Sequence, residues 1–172
     1  SGMGGMMRDH PNLGLPGHHD ADARLLDMDR DGVTSEVLYH FSMNGEPFPF
    51  MMQAAGGLTN EASDLELATV GYHLYNEWLA DFCSTHPERY AGLASIPNNP
   101  LDAAITEVER VAKRGALRGL DIANSPDLKP LWDPYWNPLW EVVNASGLPL
   151  HFHTFPTTAP RSKVDKLRRF PV

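Results

Sequence analysis

The segment Gly147-Leu-Pro-Leu-His-Phe-His-Thr154 decides how the rest of the chain is interpreted. It is apolar apart from two histidines and is followed by a Thr/Pro-rich segment, which predicts a buried strand that runs into a loop. Because side chains alternate along a strand, His151 and His153 should point to the same face, about 7 Å apart. Two such imidazoles can bind a divalent metal, or they can be structural histidines bonded to their neighbours. An HxH pair alone does not decide between these alternatives.

The composition is that of a soluble globular domain. The 172 residues are 42% hydrophobic and 21% charged, and the length is sufficient for one domain with a core. A net charge of -8 argues against a nucleic-acid partner, and no apolar run is long enough to span a bilayer. The single cysteine, Cys83, excludes an internal disulfide. Together with the lack of a secretion signal it predicts a cytoplasmic protein, and Cys83 is expected to be a core residue on a helix.

The chain divides into a short arm and one domain. Residues 1–19 are rich in Gly, Met and Pro without periodicity, which predicts a flexible N-terminal arm, and residues 20–172 form the domain. Asp20 can cap a helix that ends at Gly32. The acids from Asp27 to Asp31 imitate the start of a calcium loop, but the twelfth position is Leu38 instead of a bidentate acid, which excludes that site.

Helices and strands are predicted to alternate from residue 20 onward. Strands are expected at 34–40, 90–97, 117–124 and 147–154, with helices at 63–85, 100–114 and 138–146 between them. The first of these helices carries apolar residues at helical spacing, which are Leu67, Val70, Leu74, Trp78 and Phe82. The fold class is therefore α/β with a parallel sheet, and the site should lie at the carboxyl ends of the strands. His40, Asn124 and His153 fall at those ends.

Several stretches, taken in order, resemble the amidohydrolase-related family (the amidohydrolase 2 group), which includes aminocarboxymuconate-semialdehyde decarboxylase. The matching pieces cover about three quarters of the chain: Arg24-x-x-x-Met28-Asp29-x-x-Gly32-Val33, Asn76 with Phe82, Pro87-x-Arg89-x-x-Gly92-Leu93-Ala94-x-Ile96-Pro97, Arg118-Gly119, Asp133-Pro134-x-Trp136-x-Pro138-Leu139-Trp140, and Gly147-Leu148-Pro149 leading to His153.

The resemblance implies a metal-dependent (β/α)₈ barrel. It implies that His153, at the end of the fifth strand, binds a divalent metal, zinc foremost and manganese as the alternative. It also implies that His151 faces the same lumen. The expected substrate-binding residues are His40, Phe41, Asn124, His151 and Arg161. Arg161 could bind a substrate carboxylate, or it could be one of a group of solvent-facing basic residues.

The chain departs from the family pattern at both ends. No strand with a metal-binding HxH or ExH precedes Asp20, and the sequence stops at Val172, soon after the expected fifth strand. A full barrel needs roughly 250 residues, so the four strands correspond to about strands 2–5 of a TIM barrel. A single histidine holds metal weakly, which predicts that this chain alone binds metal poorly and is inactive. The open sheet edges predict self-association into a homo-oligomer.

The resemblance implies a metal-dependent hydrolase that acts on a small organic acid or ring substrate through a metal-activated water. The alternatives are a decarboxylase of the aminocarboxymuconate-semialdehyde type and a non-catalytic half-barrel. Decarboxylases of the family often have His-Pro where this chain has His153-Thr154, which favours the hydrolase. Catalytic residues are not assigned, and enzyme activity is expected only if the chain is part of a complete barrel.

Overall fold

The computed structural model describes residues 14–40, 62–124 and 128–154, without the side chains of 62–64 and 154. Helices and strands alternate along these residues. In chain order they are α1 (Ala21–Asp31), β1 (Glu36–Leu38), α2 (Ala62–Thr85), β2 (Tyr90–Ile96), α3 (Leu101–Arg114), β3 (Gly119–Asn124), α4 (Asn137–Ser146) and β4 (Leu150–Thr154). Short 3-10 turns lie at Pro16–His18 and Pro134–Trp136.

The four strands form one parallel sheet in the order β1-β2-β3-β4. The sheet is curled into a half-barrel, which confirms the prediction of a partial TIM barrel. Consecutive strands lie side by side because the chain between them passes through a helix that packs on one face of the sheet and brings the next strand in beside the previous one.

Local signals position the helix ends as predicted. The Asp20 side chain accepts a hydrogen bond from the Ala23 amide and so caps α1. Three helices, α1, α3 and α4, end at glycines with φ between 67° and 73°: Gly32, Gly115 and Gly147. This left-handed conformation satisfies the last carbonyls of a helix and is strained for other residues.

The first strand is shorter than expected. The sequence suggested a strand over 34–40, but β1 pairs with β2 only at Glu36, Val37 and Leu38. β2 continues for four residues beyond its last pair with β1, from Leu93 to Ile96. His40 therefore follows the strand instead of belonging to it.

Helix α2 buries a different face from the one that its apolar spacing suggested. Leu67, Val70, Leu74 and Trp78 are between 41% and 69% exposed. The buried face carries smaller and aromatic residues, which are Ala68, Tyr72, Tyr75, Leu79, Ala80, Phe82 and Cys83. These residues let the helix approach Gly92 of β2 so closely that an added Cβ would lie 2.8 Å from Cys83 Sγ. Both faces of α2 are apolar, so hydrophobicity does not determine which one is buried. The face with the small residues is buried because it packs more closely against the sheet.

The sheet has a helix-covered face and an opposite face, here called the inner face. Ala94, Ile96, Leu120 and Ile122 pack in the core with the helices. Strand alternation sends the intervening residues Ser95 and Asp121, which are paired in register, to the inner face. Both are 1% exposed. The inner face is thus polar at its centre although it is buried.

Cys83 is a core residue on α2, as expected. Burial raises the pKa of its thiol to about 11. Since the thiolate is the reactive form, we predict that a disulfide reagent at pH 8 labels the native chain at least about 100-fold more slowly than the urea-unfolded chain. Equal labelling rates in the two states would contradict the burial of this side chain.

The prediction of an N-terminal arm falls partly outside the described residues. Residues 14–19, assigned to the N-terminal arm, include the turn at Pro16–His18, in which Gly17 is buried. The remaining arm residues and the segment 41–61 lie outside the described part. Among the described residues, no helix combines the length and the apolar composition needed to cross a membrane.

Candidate metal centre

Side chains from β3, from β4 and from the residues just after β1 meet near the carboxyl end of the sheet. His40 lies just after β1, Asp121 lies within β3 and His153 lies near the end of β4. The Nδ1 atom of His40 is 3.1 Å from Asp121 Oδ2, and the Nδ1 atom of His153 is 3.5 Å from the same oxygen. The two imidazole centroids are 5.5 Å apart. We call these three residues the His-Asp-His cluster.

The register of the parallel sheet brings the cluster together. Asp121 pairs with His151, and Ala123 pairs with His153, so Asp121 and both β4 histidines project to the inner face. β1 stops early, and the chain after it brings His40 to Asp121 across the end of β2. The predicted common face of His151 and His153 is therefore present in the structure.

The cluster contains buried polar atoms without hydrogen bonds. His40 and Asp121 are each 1% exposed. Both ring nitrogens of His40 and both carboxylate oxygens of Asp121 lack a hydrogen-bond partner among the described residues. The 3.1 Å approach between His40 and Asp121 is within ion-pair distance but does not have hydrogen-bond geometry. Such atoms cost about 1–3 kcal/mol each when nothing binds them, and their presence calls for a partner.

The donor set fits a divalent metal ion. One atom from each of the three residues lies within 4.8 Å of the other two. Ligands at metal distances of about 2.0–2.2 Å in a tetrahedral site lie about 3.3–3.6 Å from one another, close to the two separations measured here. Two imidazoles and one carboxylate are ligands that zinc, manganese and iron accept. These three residues are the candidate metal ligands of the described chain.

Tyr39 and His151 lie beside the cluster. The Tyr39 hydroxyl is 3.4 Å from His151 Nδ1, and the Tyr39 ring meets the rings of both His151 and His153 edge-on. Tyr39 is 43% exposed, so this side of the cluster is accessible to a small molecule.

The predicted site residues divide into three groups. His40, His151 and His153 come together, although His40 lies deep beside Asp121 and so is placed as a candidate metal ligand instead of a substrate contact. Asn124 ends β3 three residues after Asp121, so strand alternation directs it to the face opposite to the cluster. Phe41 and Arg161 lie outside the described residues.

Sequence reasoning missed Asp121 and Tyr39. Asp121 had one signal, because it is the only charged residue in the otherwise apolar stretch Gly119-Leu-Asp-Ile-Ala123. An acid in the middle of a strand buried on both faces needs a partner, which marks it as a candidate site residue. Tyr39 had no distinguishing signal.

The fold and the cluster define a class of protein: a half-barrel of parallel strands with metal-type ligands near the carboxyl ends of the strands. The family model for amidohydrolases matches residues 10–172. The chain belongs to the amidohydrolase family, which confirms the resemblance found from the sequence.

Three of the similar solved structures are decarboxylases. The 5-carboxyvanillate decarboxylase of Sphingomonas paucimobilis is 31% identical with a TM-score of 0.57, over 85% of this chain and 38% of that one. The 5-carboxyvanillate decarboxylase of Novosphingobium aromaticivorans, complexed with manganese and 4-hydroxy-3-methoxy-5-nitrobenzoic acid, is 23% identical with a TM-score of 0.64, over 95% and 43%. The 2,6-dihydroxybenzoate decarboxylase of Rhizobium is 21% identical with a TM-score of 0.59, over 86% and 43%.

These similarities affect two of the sequence predictions. The chain spans about two fifths of the length of these relatives, in keeping with a portion of a barrel. Their activities favour the decarboxylase alternative over the hydrolase that we put first. A divalent metal is supported, but the relative with a named ion holds manganese, so the choice of zinc has no support.

Proposed function

We propose that this chain carries the metal site of a decarboxylase that acts on an aromatic carboxylic acid. The observation that carries the proposal is the His-Asp-His cluster, in which the buried, unsatisfied polar atoms of His40 and Asp121 meet His153 at the end of the sheet where barrel enzymes bind their substrates. The activities of the similar solved structures support the aromatic acid as substrate class.

In this proposal the described residues have two tasks. His40, Asp121 and His153 hold a divalent ion, which supplies positive charge to bind the oxygens of the substrate and stabilise negative charge. Tyr39 and His151 lie on the accessible side and can donate hydrogen bonds that orient the substrate. In the reaction the bond from the ring carbon to the carboxylate breaks, carbon dioxide leaves, and the electron pair on that carbon takes up a proton.

The first experiment measures carbon dioxide release by the metal-loaded chain. We expect turnover of 5-carboxyvanillate or 2,6-dihydroxybenzoate with Mn²⁺ and its loss after chelation. We also expect His153→Gln to lower kcat/KM by about 100-fold or more, since even groups that only support metal ligands contribute 10–100-fold. The variant His86→Gln, at a histidine outside the cluster that pairs with the exposed Asp22, is the matched control and should keep its activity.

Other outcomes separate the alternatives. Metal-dependent cleavage of an ester or amide without carbon dioxide would favour the hydrolase. No turnover of any of these substrates with bound metal would favour the non-catalytic half-barrel. Self-association remains a prediction, which light scattering on the same samples tests.

A further inference from the structure

We propose that Glu107, which lies outside the His-Asp-His cluster, is a positioning residue of the site. Through the Asn76 side chain it fixes the backbone of Ser95, and through Ser95 it fixes the position of Asp121. Glu107 lies on α3 and is 6% exposed. The inference rests on the metal-binding part of the proposed function, but it concerns how the chain holds one side chain in place and requires no turnover.

The backbone of Asp121 sets where its carboxylate lies. The carboxylate is buried, and no hydrogen bond from a described residue holds it. Its backbone is paired in register with Ser95 of β2 on one side and with His151 of β4 on the other. A shift of either neighbouring strand would therefore move the carboxylate, and metal ligands have to lie within about 0.2 Å of their proper distances.

On its other side the Ser95 backbone is held by a side chain. The last residue of β2 that pairs with β1 is Gly92, so β1 does not reach Ser95. The Nδ2 atom of Asn76 donates to the Ser95 carbonyl, and Oδ1 accepts from the Ser95 amide, both at 2.8 Å. Only one orientation of the Asn76 amide makes these bonds, because a 180° rotation would place donor against donor and acceptor against acceptor.

Glu107 fixes that orientation. Its Oε1 atom accepts a hydrogen bond from Asn76 Nδ2 at 2.6 Å. A carboxylate can only accept, so a rotated Asn76 amide would bring two oxygen atoms together. Arg110 holds the carboxylate with two hydrogen bonds, 2.9 Å to Oε2 and 2.6 Å to Oε1, and His73 Nδ1 lies 3.7 Å from Oε2. Burial of Glu107 and Asn76 strengthens the contact between them, since hydrogen bonds to a charged group are strong in a low-dielectric interior.

The test compares two substitutions of Glu107 by titrating the metal-free full chain with Mn²⁺. Glu107→Leu removes the acceptor, whereas Glu107→Gln keeps an Oε1 atom that can accept from Asn76 and loses only the charge. We expect Glu107→Leu to raise the Kd for Mn²⁺ by about tenfold or more, since groups that support metal ligands contribute 10–100-fold. Glu107→Gln should change that Kd by less than about threefold.

Two further variants on α3 separate positioning from a general loss of stability. Val108→Ala removes part of a side chain that is 0% exposed, so it should lower the urea midpoint of unfolding but leave the Kd of the folded chain unchanged. Glu109→Leu makes the same chemical change as Glu107→Leu at an exposed position and should alter neither quantity.

A third variant covers the case in which Glu107→Leu does not fold. Arg110→Met removes both hydrogen bonds that hold the Glu107 carboxylate, at a side chain that is 24% exposed, and should also raise the Kd. If neither Glu107→Leu nor Arg110→Met raises the Kd, the inference is wrong. It is also wrong if Val108→Ala raises the Kd as much as Glu107→Leu does.

A readout on the metal-free chain lets the two proposals fail separately. In Glu107→Leu, amide exchange at Ser95 should speed up by more than the loss of global stability accounts for, and the NMR signal of the Asp121 carboxyl carbon should shift. If the parent chain binds no Mn²⁺, the metal-binding part of the proposed function fails, and these two signals still decide the inference. Unchanged signals would overturn it. Mn²⁺ binding that depends on Glu107, together with no turnover, would remove the decarboxylase and leave the positioning role.

Discussion

Replacing Asn76 with leucine should lower the free energy of unfolding by about 4 kcal/mol, because it leaves buried backbone groups of β2 without partners. Asn76 lies on α2 and is 1% exposed. Its Nδ2 atom donates to the Ser95 carbonyl at 2.8 Å and to Glu107 Oε1 at 2.6 Å. Its Oδ1 atom accepts from the Ser95 amide at 2.8 Å.

The Asn76 side chain takes the place of a missing strand. β2 runs four residues beyond its last pair with β1, and Ser95 lies in that length, which pairs with β3 on one side and with no residue of β1 on the other. The amide group binds both the N–H and the C=O of Ser95, as a neighbouring strand would. Leucine fills a similar volume, so the loss measured would come from unsatisfied polar groups and not from a cavity. Glu107 would keep its contacts with Arg110.

Urea unfolding followed by circular dichroism measures this effect. The matched control is Asn144→Leu, the same change at an exposed position on α4, which should alter stability by less than about 0.5 kcal/mol. If the two variants unfold at the same urea concentration, the Asn76 contacts do not hold β2. Because Ser95 pairs in register with Asp121, the Asn76 variant should also weaken metal binding by the cluster.

Trp136→Ala should destabilise the chain by about 3–5 kcal/mol, the usual cost of removing a large aromatic side chain from a core. Trp136 is 1% exposed and follows β3 in the turn before α4. Its ring lies 4.9 Å from that of Tyr135 and 6.0 Å from that of Trp140. Its Nε1 atom donates to the Lys129 carbonyl at 3.2 Å, so the side chain also fixes the path of the chain after β3.

Trp132 provides the control within the same connection. It is 71% exposed, and Trp132→Ala should cost less than about 1 kcal/mol. Circular dichroism is the appropriate probe, since each variant removes a fluorescent side chain. Equal losses in the two variants would show that the connection between β3 and α4 is not held by burial of Trp136.

Local sequence signals predicted the elements of the fold because their causes are local. Asp20 caps a helix through a hydrogen bond three residues away, and Gly32, Gly115 and Gly147 end helices through their own backbone conformation. Alternating helices and strands favour a parallel sheet whatever the side chains are. These predictions are confirmed, with element ends shifted by at most three residues.

The packing of α2 could not be predicted in the same way. Its residues are apolar on two faces, so periodicity alone identified Leu67, Val70, Leu74 and Trp78 as readily as the opposite face. The close approach of α2 to Gly92 determined which face of the helix is buried, and that contact joins residues that are not neighbours in the sequence.

The candidate metal centre shows the same division. By itself the sequence determined the α/β half-barrel, the family, and the shared face of His151 and His153, because capping, alternation and motif spacing act over a few residues. Only the tertiary structure brought His40 and Asp121 to His153, since this depends on where β1 stops and on the register of β3 against β4. A ligand set assembled from β3, β4 and the residues after β1 is a property of that arrangement, which no short stretch of sequence contains.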